Sequence, residues 1–424
     1  MSTANPTLHE LSCADDYDPN SMPVPKAREL IARFLSPIGT IERVSVRTAL
    51  GRVLAEDVIS PVDVPSHDNS AMDGFALRFA DLKADAKVTL KVTGSSFAGV
   101  PFKGKVGAGE AVRIMTGGVV PEGADTIVMQ EHTEAKDGAV TTGGGHKKGQ
   151  NLRKAGEDLQ RGQSALRRGQ PIRAAEIGLI ASLGIAEVSV YRKLRVAFFS
   201  TGDELVSIGL PLGEGQIYDS NRYTIYGMLT RLGCEVIDMG VVRDDPALLE
   251  TAFKEAASIA DVVITSGGVS VGEADFVKGL LNKLGEVVFW KIAMKPGRPL
   301  AYGKIGNAHF FGLPGNPVSV MVTFYQFVRD ALLKLSGRDP IEPLPTFKVP
   351  CTSALKKAPG RTEFQRGILS RDAAGNLSVK VTGEQGSGIL RSMSEANCFI
   401  ILPTEQGNVT PGTLVEVQVM DGVI

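Results

Sequence analysis

The apolar positions of this chain follow two rhythms, and the place where one gives way to the other divides the molecule. Over residues 24–34 they recur at the spacing of a helix, and residues 44–58 read as a strand and turn with a short helical piece around residues 49–54. The stretch SPVDVPSHDNSAMDGFAL, residues 60–77, breaks the regularity with prolines and small polar residues, as a loop entering a strand does. Between residues 78 and 150, short β-rich runs at 88–92, 111–115, 126–130 and 139–142 alternate with glycine turns, the spacing of a small all-β module. A helix at 174–183 and a strand at 187–191 follow, and that stretch is free to pair back with the N-terminal segment.

From Leu194 onward strand-like runs alternate with helical ones. Strands are expected at 195–199, 235–242, 261–264, 287–292, 300–302 and 309–312, and helices at 221–232, 246–257, 274–284 and 318–335. This alternation predicts an α/β domain with a largely parallel sheet. Past Gly337 the segment RDPIEPLP reads as a linker, and the remaining residues read as short strands, a C-terminal β module.

Composition narrows the functional classes. At 424 residues the chain is too long for one core, and about two to four domains are expected. With 43% apolar and 22% charged residues it reads as globular and soluble. The formal net charge is −1 and basic residues cluster only in pairs such as Lys147-Lys148, so the basic face of a nucleic-acid binder is missing. Four cysteines, at 13, 234, 351 and 398, are dispersed without CxxC spacing, which argues against a disulfide framework or a soft metal site and fits a reducing compartment. The opening MSTANPTLHELSCADDYDPN has neither a basic nor an apolar region of a secretory signal, and no apolar run reaches the roughly 18 residues needed to span a bilayer. A cytoplasmic protein with no membrane partner is the expectation.

In open α/β sheets ligands sit beyond the carboxyl ends of the strands. Four predicted strands end here in small, polar or charged loops: Ser200-Thr201-Gly202-Asp203-Glu204, Arg243-Asp244-Asp245, TSGGVSVGEAD at 265–275, and Lys295-Pro296-Gly297-Arg298-Pro299. Each has a plain structural reading. STGDEL suits a helix N-cap, RDDP taken alone is best read as a cap followed by an N1 proline, and MKPGRP suits a turn. DNSAMDGFA, residues 68–76, reads as an Asx turn into a strand, and RIMTGG, 113–118, as an ordinary strand end. The four sheet-end loops on one edge nevertheless favour a site.

TSGGVSVGEAD also poses a problem of charge. Its glycines offer backbone N–H groups to an anion, yet Glu273 and Asp275 would repel one. A divalent cation reverses that sign: Mg²⁺ takes hard oxygen ligands, keeps several waters and bridges carboxylate to phosphate. The GK[ST] ending of a P-loop is absent, which argues against a Walker-type NTPase.

DNSAMDGFA, RIMTGG, GEDL, FSTGDEL, IYDSN, RDDP, TSGGVSVGEADF, KPGRP and GLPGNPVS occur in this order. Together they resemble the molybdopterin molybdenumtransferases, the MoeA proteins, whose eukaryotic relative is the C-terminal domain of gephyrin. The resemblance runs from about Pro23 to the C-terminus. It implies an elongated, four-domain subunit with an α/β domain similar to the molybdopterin adenylyltransferases and a C-terminal β-barrel-like domain. On this basis residues 1–22 form a mobile tail, 23–60 with 150–190 an elongated N-terminal domain, 61–149 a small β module, 191–338 the α/β domain and 341–424 the C-terminal β domain. The implied reaction inserts molybdenum from molybdate into adenylylated molybdopterin and releases AMP, with Mg²⁺ required. A homodimer with the cleft between subunits is implied as well, and so are a molybdopterin adenylyltransferase and acceptor molybdoenzymes as partners.

Carried over by motif, the functional positions fall on Asp73, Thr116, Asp158, Glu204, Asp244, Asp275, Lys291, Lys295, Arg366 and Ser387. Asp244 and Asp275 are expected to gather Mg²⁺. Thr201, Gly267, Gly268 and Ser270 would cradle phosphate, and Lys291, Lys295 and Arg298 would neutralise phosphate or molybdate. Pro314, Gly315 and Asn316 of GLPGNPVS would join the substrate site. Asp73 and Thr116 would face the cleft from the partner subunit. Arg298 stands where relatives often have lysine, which keeps the charge and changes a point into a fork. Two alternatives remain. A non-catalytic molybdopterin-binding scaffold could dispense with the acids that this chain keeps, and an adenylyltransferase would not require the β modules or the DNSAMDG loop.

Overall fold

The structure, a computed structural model, describes residues 21–268 and 275–420, with residues 275–278 and 289 described by backbone alone. The expected tail therefore lies almost wholly outside the described residues. Pro23 leads into the helix Val24–Arg33, and its apolar stripe, Val24, Ala27 and Ile31, is buried in the core of the α/β domain together with Val196, Leu332 and Leu335. Arg28 on the same helix donates to the Gln326 carbonyl at 2.9 Å.

The strand Ile41–Ser45 pairs antiparallel with Glu187–Tyr191, and Val58–Ile59 pairs with Ser164–Leu166, so the chain does return to its N-terminal segment. Around these ladders Leu54, Ile172, Ile180 and Val190 form a small core. The short helical piece expected around residues 49–54 is displaced. A 3₁₀ turn occupies Val46–Ala49 instead, and Gly51, at φ +76°, turns the chain so that Val53 and Leu54 bridge to Pro171 and Val190.

Between these paired strands the chain forms a separate six-stranded sheet. Its order is Thr126–Met129, Gly74–Leu77, Glu110–Ile114, Val88–Ser96, Ala139–Thr142, Thr133–Lys136, and only the central pair, Glu110–Ile114 with Val88–Ser96, is parallel.

The α/β domain carries a sheet in the order Glu235–Val242, Arg195–Thr201, Val262–Ser266, Ala308–Leu313, Pro299–Ile305, Gly285–Lys291. The first four strands are parallel and the last two antiparallel to their neighbours. Successive residues along a strand point to opposite faces, so the continuous apolar runs serve two cores. Val196, Phe198, Val262 and Ile264 pack under Ser220–Arg231 and the helical run that begins at Pro317. Ala197, Phe199, Val263 and Phe310 pack under Pro246–Ile259 and Asp275–Leu284, where Phe253 meets Phe199 and Phe310 edge-to-face at 5.2 and 5.6 Å. The long helix expected over 318–335 is helical throughout, with a π turn at Phe324–Val328 between Pro317–Thr323 and Arg329–Leu335.

In the C-terminal domain the strands run in the order Leu377–Val381, Thr362–Arg371, Cys398–Leu402, Leu414–Val419, Thr346–Pro350. Cys351 then bridges to Val379, which draws the two edges toward each other and curls the sheet into a half-barrel. Met294–Lys295 pairs in parallel with Thr362 and Glu363, and Phe364 and Phe399 join the core of the α/β domain. Among the described residues no helix is long and apolar enough to cross a membrane.

Gly337 ends the helix Arg329–Leu335 at φ +88°, and a Cβ there would lie 2.2 Å from the buried Tyr191 ring. Gly51, also at positive φ, has open space around it. Gly337→Ala should therefore cost about 2–4 kcal/mol and Gly51→Ala only about 1 kcal/mol. Equal shifts in melting temperature would show that the Tyr191 ring yields freely.

Candidate active site

The carboxyl ends of the parallel strands open into a cleft of about 1270 Å³. Thr201 to Glu204 follow the strand Arg195–Thr201, Ser266 to Gly268 close Val262–Ser266, and Pro314 to Asn316 follow Ala308–Leu313. Asp244, beyond Glu235–Val242, completes this side. The opposite wall is Met294 to Pro299, and the C-terminal domain adds Arg361 and the loop 385–388.

These loops meet more closely than side chains would allow. Gly267 stands at φ +95°, and a Cβ on it would lie 2.5 Å from the Thr201 carbonyl oxygen. Asn221 fastens the same junction, its Nδ2 donating to Ser266 Oγ at 2.8 Å and to the Gly315 carbonyl at 2.6 Å. Asp219 is the N-cap of Ser220–Arg231, one oxygen accepting from the Arg222 N–H at 3.1 Å. STGDEL thus does not cap a helix. The intervening chain makes a short parallel ladder, Leu205–Val206 with Ile217–Tyr218, and the helix starts only after Asp219.

The floor holds polar atoms that the described protein leaves unmatched. Thr201 Oγ1, Asp219 Oδ2 and Asn221 Oδ1 are buried and lack a hydrogen-bond partner among the described residues. Leaving such atoms unpaired costs roughly 1–3 kcal/mol each, so the floor is complementary to a ligand that supplies the missing partners. In RDDP the two acids divide their work: Asp245 accepts from the N–H groups of Ala247 and Leu248 at 2.9 and 3.0 Å, while Asp244 lines the cleft.

The opposite wall is cationic. Lys295 is half exposed, and its Nζ lies 3.6 Å from Oε1 of the buried Glu363, whose other oxygen accepts from Gln365 at 3.0 Å. Arg298 and Arg361 line the cleft beside it. Arg366 does not line the cleft but stands behind it, 1% exposed, donating to the Gly386 carbonyl at 3.0 Å and to Ser392 Oγ at 2.9 Å. Its backbone N–H is held by Gln385 Oε1 at 2.8 Å. Burial pushes the guanidinium down to about 10, so it stays charged at neutral pH, and no carboxylate pairs with it among the described residues. The Ser387 carbonyl accepts from the Val318 N–H at 3.1 Å, which docks the loop 385–388 on the helix after GLPGNP.

Of the positions expected from sequence, the cleft brings together Thr201, Glu204, Asp244, Gly267, Gly268, Lys295, Arg298, Pro314, Gly315, Asn316 and Ser387. Lys291 ends the strand Gly285–Lys291 and its carbonyl accepts from Met22 at 2.7 Å, but it does not line the cleft. Ser270 and Glu273 lie outside the described residues, and of Asp275 only the backbone, at the start of Asp275–Leu284, is described. Asp73, Thr116 and Asp158 sit in the N-terminal half, away from this cleft. Asp73 Oδ1 accepts from the Thr116 N–H and hydroxyl, both at 2.8 Å, and Asp158 donates its N–H to the Val64 carbonyl at 3.0 Å. Asp219, Asn221, Ser266, Ser319, Arg361 and Gln385 were not singled out. The motif IYDSN, which contains Asp219 and Asn221, was the available signal for two of them.

Comparison with known proteins covers the same ground. Three family models match in chain order: MoeA N-terminal region (domain I and II) over residues 22–184, "Probable molybdopterin binding domain" over 197–334, and MoeA C-terminal region (domain IV) over 348–420. The chain is 50% identical over 378 residues to a molybdopterin molybdenumtransferase of Haemophilus influenzae, covering 89% of this chain and 93% of that protein. It is 36% identical over 426 residues to one of Nostoc sp., covering 95% and 97%. A crystal structure of a molybdopterin biosynthesis MoeA protein from Pyrococcus horikoshii superposes with a TM-score of 0.82 at 28% identity, over 94% of this chain and 100% of that one.

Asn221→Ala would cut two hydrogen bonds at the loop junction and leave Ser266 and Gly315 short of a donor, at a cost of about 1–3 kcal/mol. A lowered melting temperature is the expected result, and an unchanged one would show that the junction holds without it. Asp73 is held below the usual carboxylate range, first by the Thr116 N–H and then by its hydroxyl. Because its folded pKa is depressed, this contribution is complete above the ordinary carboxylate pKa of about 4 and is lost as pH falls through the lower folded value. Thr116→Val should raise the Asp73 pKa part of the way, measured by an NMR titration of its carboxyl carbon; no rise would mean that the hydroxyl does not donate.

Proposed function

The chain belongs to the MoeA family, the molybdopterin molybdenumtransferases, and from that membership we propose that this cleft receives adenylylated molybdopterin and molybdate, inserts molybdenum into the dithiolene and releases AMP. The observation that carries this reading is the division of the cleft into two unlike walls. One is a glycine-lined junction with unmatched hydroxyl, amide and carboxylate oxygens, suited to a large polar ligand bearing its own donors. The other is cationic and backed by the buried, uncompensated charge of Arg366, suited to an oxyanion. An anion against Lys295 and the loop 385–388 would offset a charge that the fold otherwise leaves unbalanced.

Four acids line the first side, Asp203, Glu204, Asp219 and Asp244. Their oxygens are hard donors, with no thiol or imidazole among the described residues of the cleft; no three acidic side chains among the described residues converge on one point, so the fit is to Mg²⁺ held by one or two carboxylates, with water and substrate phosphate completing it. Asp244 and Asp275 are the residues we assign to that ion. When bound it would supply positive charge beside the phosphoanhydride. Thr201, Gly267 and Gly268 would position the phosphates, and Lys295 and Arg298 would hold molybdate or phosphate by charge. Arg366 and Ser387 would keep the loop 385–388 in place, and Pro314, Gly315 and Asn316 would shape the pterin side.

A homodimer accounts for two further features. Asp73, half-buried, and Thr116, exposed, do not line the cleft of their own chain, so a partner is what would bring them to one. Ile208, Leu210, Ile217, Tyr218, Tyr223 and Tyr226 are all exposed on or beside the helix Ser220–Arg231 at the rim of the cleft, an apolar surface of the kind a second subunit covers. A molybdopterin adenylyltransferase upstream and acceptor molybdoenzymes downstream fit the substrate and product. Cys234 and Cys351 carry free thiols, which suits the reducing cytoplasm.

The direct test is AMP release from adenylylated molybdopterin, with and without molybdate and Mg²⁺, followed by activation of an apo-molybdoenzyme. Release that requires both ions is expected, and Lys295→Ala should raise the molybdate needed for half-maximal release by about tenfold, the loss of one charge-assisted contact. A folded protein that releases no AMP under any of these conditions would overturn the reading in favour of a scaffold.

A further inference from the structure

At the opposite end of the parallel strands from the cleft lies a second pocket, of about 280 Å³. It opens where the segment after the Val46–Ala49 turn, the chain leaving the helix Ser220–Arg231, and the end of Arg329–Leu335 come together; Leu194 and Cys234, on its wall, immediately precede Arg195–Thr201 and Glu235–Val242. Its wall includes Arg52, Arg173, Arg192, Lys193, Arg231 and Arg338, and no acidic residue lines it among the described residues.

Three of these cations are already compensated. Arg52 pairs with Glu42 at 2.6 Å, Arg173 with Glu176 at 2.8 Å, and Arg192 with Asp261 at 2.8 Å. Lys193, Arg231 and Arg338 form no ion pair among the described residues, although they come from three different segments. Arg338 is half-buried, and burial lowers its pKa, with repulsion from Arg329 and Arg173 adding to the effect; Glu342 opposes it from outside ion-pair range. Like charges gathered in a partly desolvated pocket repel one another unless an anion lies between them.

We propose that this pocket is a binding site for a small phosphate-bearing anion of the size of pyrophosphate, separate from the cleft. Several guanidinium forks approaching from different directions match the tetrahedral oxygens of linked phosphates, which accept hydrogen bonds on all sides. The volume sits just below the range of about 300–1,000 Å³ typical of pockets for larger organic ligands, so an inorganic or a short nucleotide-borne diphosphate is the class that fits.

The test is calorimetric titration of the full chain with inorganic pyrophosphate, and separately with ADP, comparing the parent protein with Arg231→Gln/Arg338→Gln and with Lys295→Ala. The expected result is a pyrophosphate-binding event weakened about tenfold or more in the double variant and retained in Lys295→Ala. ADP binding with the same pattern would identify a nucleotide as the source of the phosphates, and its failure would leave inorganic diphosphate. Arg231→Gln alone, an exposed position, carries the comparison should the double variant not fold, and Arg231→Lys/Arg338→Lys should recover part of the affinity. Pyrophosphate should also raise the melting temperature of the parent and not of the double variant. Unchanged affinity in the double variant, or loss only in Lys295→Ala, would place the anion in the cleft and overturn the proposal.

Discussion

The cleft depends on a single close approach, that of Gly267 to the end of the strand Arg195–Thr201. Any side chain there would meet the Thr201 carbonyl at 2.5 Å, and the backbone at φ +95° disfavours every residue with a Cβ. Because that position is bare, the ends of two neighbouring parallel strands can lie side by side. Asn221 can then reach from the following helix to Ser266 and Gly315 at once. Two cores hold the strands that carry these loops, one on each face of the sheet, so the loops are mounted on a framework whose register cannot slip without exposing one face of every strand.

Charge is then distributed by elements whose local roles are already settled. Asp245 is consumed as a helix cap, which leaves Asp244 to the cleft, and Asp219 caps with one oxygen while the other stays unmatched. On the far wall the same economy holds in reverse. Glu363 is buried and shared between Gln365 and the nearby Lys295, whereas Arg366 satisfies its donors on neutral oxygens and keeps its full charge. A buried ion with neutral partners is costly in isolation and becomes an asset once an anion binds nearby. The parallel pairing of Met294–Lys295 with Thr362–Glu363 holds the cationic wall together, since one ladder belongs to both domains.

Much of the fold was legible in the chain itself. The change of rhythm at Leu194 marks the start of the α/β sheet because strands buried on both faces must be continuously apolar, and the helices between them must be amphipathic. Local propensity yields where a glycine or a distant partner outweighs it. Gly51 ended the helical piece near Ala49, and STGDEL led into a short ladder with Ile217–Tyr218 whose paired residues are twelve apart, beyond the reach of local preference. The C-terminal sheet is curled by the bridge of Cys351 to Val379, a contact that no periodicity encodes.

What the sequence determined by itself was the set of loops at the strand ends and the residue types in them, because glycine, proline and capping aspartates act on their own immediate backbone. Only the tertiary structure decided which of those loops share a cleft: it joined Thr201, Asp244, Lys295 and Ser387, placed Arg366 behind the wall, and left Asp73 with Thr116 elsewhere. The physical reason is that proximity in the cleft follows from strand order and from the ladder between two domains, and both are set by packing between segments far apart in the chain.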